Sequence, residues 1–223
     1  MNKFSIAIDG PAGAGKSTIA KELARQLDCI YIDTGAMYRA VGLYCMNKGV
    51  GCLVEEEVSA LLDEIVIDIK YANGTQSIYL NEEDVSTAIR TQEIATAASK
   101  VATYAKVRTA LVEMQRNLQK STSVIMDGRD IGTVVLPDAT LKIFLTASSK
   151  ERAERRCLEY KQKGLESDYE QILREIEERD YQDSNREVSP LKKAEDAVAI
   201  DTTHLTIKNI VESIMTLLKQ RIN

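Results

Sequence analysis

The residues with the clearest chemistry form a glycine-rich segment near the N terminus, Gly10-Pro11-Ala12-Gly13-Ala14-Gly15-Lys16-Ser17, which Thr18 follows. The segment fits the pattern G-x-x-x-x-G-K-[ST] at every fixed position. Glycines let the backbone curl until several N–H groups point inward, and a helix N terminus adds partial positive charge, so the loop becomes a cradle for phosphate oxygens. Lys16 would reach the β- and γ-phosphates of a nucleoside triphosphate, and the Ser17 hydroxyl would bind Mg²⁺. Residues 10–18 are therefore predicted to bind Mg-ATP.

Two further segments place an arginine close to carboxylates. Arg39 ends the stretch Asp33-Thr34-Gly35-Ala36-Met37-Tyr38-Arg39, and Arg129 lies within Asp127-Gly128-Arg129-Asp130. The arginine side chain is well shaped to grip a phosphate through two parallel hydrogen bonds. Arg39 and Arg129 therefore predict an acceptor that itself carries a phosphate, and Asp33 is counted among its binding residues. The alternative for either arginine is a structural ion pair, for example between Asp33 and Arg39.

A third group of arginines lies towards the C terminus. Three share one face of a predicted helix and two follow the next predicted helix: Arg152, Arg155 and Arg156, then Arg179 and Arg186 on either side of Asp183. The alternative for such a basic face is simple solvation. Because the face is rich in arginine, we interpret residues 151–187 as a short lid that closes over the triphosphate and excludes water, with Arg156 binding ATP.

Short apolar runs separated by amphipathic helical segments must position these groups. Five runs are predicted to form strands: Phe4–Ile8, Ile30–Ile32, Val124–Met126, Leu141–Leu145 and Ala197–Ile200. Strands that alternate with helices indicate an α/β fold, in which a five-stranded parallel sheet carries helices on both faces. Ligands of such sheets bind beyond the carboxyl ends of the strands, which is where the glycine-rich loop, Asp33 and Arg129 fall.

A different pattern interrupts this alternation. Residues 65–71 alternate apolar and polar types, Asn73-Gly74 is a strong hairpin signal, and an apolar run returns at Ile78-Tyr79-Leu80. We predict a β-hairpin insert at about 58–90 that binds the acceptor. The remaining segments, about 1–57, 91–150 and 188–223, would form the core of a single domain.

Composition and net charge indicate which partners and which compartment the chain is expected to have. The 223 residues carry a net charge of −5, which argues against a nucleic-acid partner. No apolar run approaches membrane-spanning length, and no targeting segment is visible. The four cysteines form no metal-binding spacing and indicate a reducing compartment. A cytoplasmic protein is expected, and no long exposed apolar stripe contradicts a monomer.

The glycine-rich loop alone leaves several classes of protein open. A GTPase would need an N-K-x-D motif, but Asn47-Lys48 continues without the aspartate. A small-molecule kinase remains the best interpretation. A kinase of a phosphate-free metabolite would need a base such as Asp33 or Asp130, whereas a phosphate acceptor, with a second pKa of about 6, needs none. A nucleotide-gated regulatory protein would bind nucleotide and turn it over slowly.

Four stretches together give the chain a resemblance to a known family: IDGPAGAGKST, IDTGAMYRA, DGRDIGTVV and RDYQDSNREVSPL. They resemble cytidylate kinases of the bacterial type, from the first strand to the final helix. The resemblance implies the P-loop NTPase fold and transfer of phosphate from ATP to CMP or dCMP. Thr34 stands where the family often has serine, and the hydroxyl is kept.

The resemblance also implies roles for individual residues at the matching positions. Thr34, Arg39 and Arg129 would hold the acceptor phosphate. Ser99 and Arg108 would contact the cytosine, and Asp130 would fix the base side of its pocket. Arg179 and Asp183 would hold the sugar, and Arg186 would reach the phosphoryl groups. Lys16, Arg129 and Arg186 would then be the catalytic residues.

Overall fold

Strands and helices alternate along most of the chain in a computed structural model that describes residues 3–72, 75–120 and 122–222. The elements are β1 (Ser5–Asp9), α1 (Lys16–Leu27), β2 (Ile30–Asp33), α2 (Thr34–Asn47), α3 (Glu55–Ala60), β3 (Ile67–Ala72), β4 (Thr75–Leu80), β5 (Glu83–Asp84), α4 (Gln92–Val101), α5 (Ala105–Leu118), β6 (Val124–Gly128), β7 (Leu141–Thr146), α6 (Ser149–Gln162), α7 (Tyr169–Asn185), β8 (Val198–Asp201) and α8 (Ile207–Ile222). A π-helical turn, Ile131–Val135, lies between β6 and β7.

The main sheet has five strands in the order β2-β6-β1-β7-β8, with flanking helices, which confirms the predicted fold class. β1 lies in the centre because its side chains Ile6, Ala7 and Ile8 are fully buried on both faces. It pairs in parallel with β6 and β7, and Asp9 lies opposite Gly128 and Phe144. The carboxyl ends of these strands therefore coincide, and the segments that follow them emerge at one edge.

Residues Met1–Cys29 and Ser123–Asn223 form one compact unit. Within it, α1 packs against β6 and α8, and α6 packs against α7. The α6–α7 contact is a small apolar cluster of Ala153, Ile172 and Ile176. α6 begins at an N-cap in which Ser148 accepts a hydrogen bond from the Glu151 N–H, as the Ser-x-x-Glu pattern predicts.

Residues Ile30–Thr122 form a second compact unit. Its core joins α2, α4, α5 and one face of a three-stranded antiparallel sheet in the order β3-β4-β5. The predicted hairpin is present as β3 and β4, paired from Ile67–Leu80 to Ala72–Thr75, and β5 is an additional short strand. Asn73-Gly74 lies outside the described residues. Gly42 lets α2 approach α4, because a Cβ there would lie 3.0 Å from that of Ala97.

One helix boundary predicted from the sequence is wrong. α7 runs to Asn185 rather than ending near Tyr181, so Arg179 and Asp183 lie on the helix, one turn apart, and Arg186 is its C-terminal cap residue. The division into one kinase domain with an insert at about 58–90 and a lid at about 151–187 stays a prediction. Among the described residues, no helix is both long and apolar enough to cross a membrane.

Candidate active site

The glycine-rich loop joins the end of β1 to the start of α1. Gly13 and Gly15 adopt φ angles of 78° and 85°, in the left-handed region that favours glycine. Gly10 is required for close approach, since a Cβ there would lie 2.2 Å from the Leu145 carbonyl oxygen. Lys16 is only 6% exposed, and its Nζ donates to the Pro11 carbonyl oxygen at 2.7 Å. The loop therefore has the strand–turn–helix setting that phosphate binding requires.

Two neighbouring groups define the surroundings of the loop. Burial, followed by the positive charge of Arg129, lowers the pKa of Lys16 to about 7. The Ser17 hydroxyl donates to Asp127 Oδ2 at 3.0 Å. No role was assigned to Asp127 from the sequence. The signal that could have found it is an aspartate that directly follows an apolar strand segment, as Asp127 follows Val124–Met126.

Arg129, Asp183, Arg186 and Asp130 form a buried charged cluster. Arg129 Nε donates to Asp183 Oδ2 at 2.7 Å. Arg186 lies 3.8 Å from Asp183 and 3.9 Å from Asp130, and its Nε donates to the Ser189 carbonyl at 2.7 Å. All four residues were predicted to bind the acceptor or the phosphoryl groups, and the fold brings them together.

The cluster also sets its own protonation. Burial is the largest single influence on the pKa of Asp183 and would raise it, but the charges of the neighbouring arginines and the hydrogen bond from Arg129 together hold that pKa below its usual range. Burial would likewise lower the pKa of Arg129, but the neighbouring aspartates, Asp183 foremost, together hold it above its ordinary value. Both side chains therefore stay ionised at neutral pH, and a fixed positive charge lies close to Lys16.

A pocket of about 770 Å³ opens over the loop within the first unit. Residues 12–18 line one wall, and Arg156, Arg179, Leu205 and Ile207 line others. Arg156 lies over the Tyr160 ring, 5.7 Å from its centroid. Thr18 is exposed at the edge of the loop. The volume suits a ligand of nucleotide size.

The three arginines predicted to share a face of α6 all line this pocket. Arg152 does not lie on a solvated face, as the alternative stated: it is 4% exposed and donates to the Ala12 carbonyl oxygen at 3.0 Å and to Asp180. Arg155 is also bound by protein, since its Nη2 donates to the Thr202 carbonyl at 2.7 Å. Sequence spacing placed both arginines on one side of α6, but it could not show which protein groups they contact, and their role as a lid stays a prediction.

Asp9 lies behind the site, at the end of β1. It is 3% exposed and accepts hydrogen bonds from the Ile131 and Gly132 N–H groups, each at 2.7 Å. Asp9 thereby anchors the turn that follows Arg129 and Asp130. The sequence analysis missed it.

The Asp9→Asn variant tests how burial affects this anchor. Burial raises the pKa of Asp9 from 3.8 to about 6. The folded protein therefore holds this proton more tightly than the unfolded chain, and the free energy of unfolding falls by about 2 kcal/mol as the pH rises from about 4 to about 7. Asparagine cannot titrate. Urea unfolding at pH 4 and pH 7 should show the wild-type-to-variant difference changing by about that amount, and an unchanged difference would contradict the assignment.

The second unit holds five of the predicted acceptor residues. Asp33 caps α2 by accepting from the Ala36 N–H at 3.0 Å, and it pairs with Arg39 at 2.7 Å, as the ion-pair alternative stated. Thr34 is buried at the start of α2. Arg108 is 3% exposed on α5 and lies over the Tyr38 ring, 5.4 Å from its centroid, while Ser99 is partly exposed on α4. The roles of these residues stay predictions.

Within the described residues, no group of three or more His, Cys, Asp or Glu side chains is arranged to hold a metal ion. A metal at this site would therefore need ligands from elsewhere, as Mg²⁺ does when it takes phosphate and water oxygens beside one or two protein groups.

The sequence model of a family described as cytidylate kinase matches residues 6–220. The chain belongs to the cytidylate kinase family. A cytidylate kinase of Caldicellulosiruptor saccharolyticus is 52% identical over 217 residues, which cover 97% of this chain and 96% of that protein. A cytidylate kinase of Leuconostoc mesenteroides is 48% identical over the full length of both chains.

The match to the cytidylate kinase family runs from β1 into α8 and so includes both compact units. The resemblance inferred from four sequence stretches is confirmed. A shikimate kinase from Bacteroides thetaiotaomicron has a similar structure, with a TM-score of 0.51 and 14% identity over 97% of this chain and 98% of that one. That likeness concerns the fold alone, and it agrees with the P-loop kinase architecture.

Proposed function

We propose that the chain transfers the γ-phosphate of ATP to CMP or dCMP, giving CDP or dCDP and ADP. The main support for the proposal is the arrangement of charged residues in the first unit, in a chain that belongs to the cytidylate kinase family. There a glycine-rich loop with a buried Lys16 lies beside a cluster that pairs Arg129 and Arg186 with two aspartates. One part suits the triphosphate of the donor, and the other supplies positive charge for a phosphorylated acceptor.

Phosphoryl transfer to a phosphate acceptor requires that the donor and acceptor phosphates be aligned and their charge neutralised. It does not require a general base. The acceptor oxygen belongs to a phosphate that is already ionised near neutral pH, since its second pKa is about 6. Lys16 and the loop N–H groups would hold the donor phosphates. Arg129 and Arg186 would hold the two phosphoryl groups in line and neutralise the charge that develops between them. Arg156 and Arg179, which line the same pocket, would cover the donor phosphates.

The acceptor would be bound by the residues to which the family resemblance gives this role, with Asp130, Arg179 and Asp183 among them. Arg39 and Thr34 would bind the phosphate of CMP, with Asp33 orienting Arg39 through their 2.7 Å ion pair. Arg108 and Ser99 would contact the cytosine. The guanidinium of Arg108 lies over the Tyr38 ring, and this cation–π contact suits a residue that must present hydrogen-bond donors to a base.

The rival function, phosphorylation of a hydroxyl group, is less well supported. It would need Asp33 or Asp130 as a base. Asp33 is occupied as a helix cap and as the partner of Arg39, and Asp130 lies beside Arg186. Both carboxylates are therefore already engaged by other protein groups.

Mg²⁺ would be held by Ser17 and Asp127. The fit rests on the direct hydrogen bond between these two oxygen ligands at the start of α1, since hard oxygen donors suit this ion. When bound, Mg²⁺ would neutralise part of the negative charge of the ATP phosphates.

The Asp127→Asn variant should raise the Mg²⁺ concentration needed for half-maximal activity by about tenfold or more, because the amide is a weaker ligand and a weaker partner for Ser17. Activity measured against free Mg²⁺ at fixed ATP checks this. Asp138→Asn serves as the control, because Asp138 is exposed and lies between the π-helical turn and β7. An identical Mg²⁺ dependence in Asp127→Asn and the wild type would remove Asp127 from the site.

The setting of the reaction is also part of the proposal. We infer a cytoplasmic monomer that acts on small nucleotides and binds no nucleic acid. The four free thiols suit a reducing compartment, and the net charge of −5 disfavours polyanions outside a local arginine cluster.

A single assay tests the function. ADP release is followed with Mg-ATP and each of CMP, dCMP, UMP, AMP and shikimate as acceptor. The proposal expects rapid release with CMP and dCMP. Turnover with shikimate alone would favour a hydroxyl acceptor, and tight ATP binding with no acceptor-dependent release would favour a regulatory protein.

A further inference from the structure

Arg152 of α6 lies beside the glycine-rich loop, at the wall of the pocket, and is hydrogen-bonded to three protein groups. Its Nε donates to the Ala147 carbonyl oxygen at 3.0 Å, and its Nη1 donates to the Ala12 carbonyl oxygen at 3.0 Å. Asp180 of α7 holds both ends of the guanidinium, Nη1 at 3.0 Å and Nη2 through a second hydrogen bond. A planar guanidinium with this many fixed bonds has little freedom to turn.

The bond to Ala12 determines the direction of the next N–H group. The Ala12–Gly13 peptide is trans, so its carbonyl and its N–H point in opposite directions. With the carbonyl oxygen held on the side of Arg152, the Gly13 N–H is directed away from it. Gly13 and its neighbours line the pocket, so this N–H becomes one of the donors that a phosphate would meet.

Contact with the side-chain stem reinforces this arrangement. A Cβ at Gly13 would lie 3.3 Å from Arg152 Cβ, and Gly13 adopts a φ of 78°. Arg152 therefore packs directly on the loop where the backbone has most conformational freedom. Without that packing the Ala12–Gly13 peptide could rotate, and ligand binding would have to restore its orientation.

A second carbonyl of the loop also faces a protein donor, which it shares with the Thr146 carbonyl oxygen at 3.1 Å. The Ala14 carbonyl oxygen lies 3.3 Å from the Thr202 hydroxyl, and Thr202 in turn accepts from Arg155 at its carbonyl at 2.7 Å. Alternate carbonyls, at Ala12 and Ala14, thus face the surrounding protein. This repeat argues that the outward carbonyls are a property of the loop rather than an isolated contact.

We propose that Arg152, oriented by Asp180, is a positioning residue: it fixes the Ala12–Gly13 peptide so that the Gly13 N–H is presented to the donor phosphates. The inference rests on the proposed function only in taking the ligand of this loop to be a polyphosphate. Arg152 acts through the backbone and does not bind the phosphates itself. A role as a direct phosphate ligand is the alternative, in which Asp180 would hold Arg152 back.

The Asp180→Asn variant separates these two roles. If Arg152 positions the loop, weakening its partner loosens the loop and phosphate binding becomes weaker. If Arg152 is a ligand restrained by Asp180, the same change releases it and binding becomes tighter. Arg152→Lys keeps the positive charge but cannot reach all three acceptors at once, so it should also weaken binding.

The experiment is calorimetric titration of the full chain with sodium tripolyphosphate, which carries no base or sugar. We expect Arg152→Lys and Asp180→Asn to weaken binding about 10- to 100-fold, the effect of losing a hydrogen bond to a charged group. Glu178→Gln, at an exposed position on the same helix, should stay within about twofold. The KM for CMP should change little in all three variants, which a general loss of structure would not allow.

Equal or tighter binding by Asp180→Asn would overturn the proposal, as would a matching rise in the KM for CMP. The wild-type protein gives an independent check if a variant fails to fold. Its Gly13 amide resonance must shift when tripolyphosphate is added, and an unmoved resonance also overturns the proposal. The acceptor assay is separate, so loss of CMP phosphorylation as the function would leave this result standing.

Discussion

Replacing Arg129 with alanine is expected to lower kcat/KM for CMP by about 100- to 1,000-fold, the cost of removing one fixed donor that stabilises charge in a transition state. The affinity for ATP should change far less, because Lys16 and the loop backbone hold the donor phosphates. A guanidinium has five N–H donors, and the contacts of Arg129 with Asp183 and the Gly128 carbonyl use two of them. The fork can therefore grip a phosphate while Asp183 keeps it oriented.

Steady-state kinetics with CMP varied at saturating ATP, together with direct titration of ATP, measure the two effects separately. Arg129→Ala also removes the closest cation from the buried Asp183, so Tm should fall, and kinetics must be recorded well below it. Arg174→Ala, at an exposed position on α7, is the matched control. If ATP affinity fell as much as kcat/KM, or if acceptor kinetics stayed normal, Arg129 would not bind the acceptor phosphate.

Local pattern was sufficient for much of this fold. The run from Phe4 to Ile8 was predicted as a strand because buried parallel strands are continuously apolar, and β1 occupies that position in the centre of the sheet. The loop from Gly10 to Ser17 needed only its motif and its neighbours in sequence. The same holds for Ser148 and the start of α6, where the capping signal lies within four residues.

The contacts that local sequence patterns could not predict join residues that lie far apart in the chain. Arg152 meets Asp180, 28 positions away, and Ala12, 140 positions away. Asp9 binds N–H groups more than 120 positions along the chain. Helical spacing shows which arginines share a face of α6, but it does not show what that face touches. The end of α7 was placed too early for a related reason, since polar residues gave no apolar period to follow, and Asp183 is held inside by Arg129 rather than by hydrophobic packing.

Lys16 is the residue whose loss should cost the most activity. Its ammonium group would supply positive charge directly to the β- and γ-phosphates of ATP. Methionine has nearly the same length but carries no charge. Lys16→Met should therefore lower kcat by about 1,000-fold or more, with little change in the KM for CMP.

Lys16→Met should lower the activity without lowering the thermal stability of the protein. Burial lowers the pKa of Lys16 to about 7, which shows that its charge is disfavoured by the folded protein without nucleotide. Replacing a buried charge by an apolar side chain of similar volume is neutral or stabilising. Thermal unfolding should thus give Lys16→Met a Tm equal to or above that of the wild type, while Lys21→Met, at an exposed position on α1, leaves both activity and Tm close to wild type. A variant that lost activity only in proportion to a lowered Tm would show that Lys16 serves the fold instead of phosphoryl transfer.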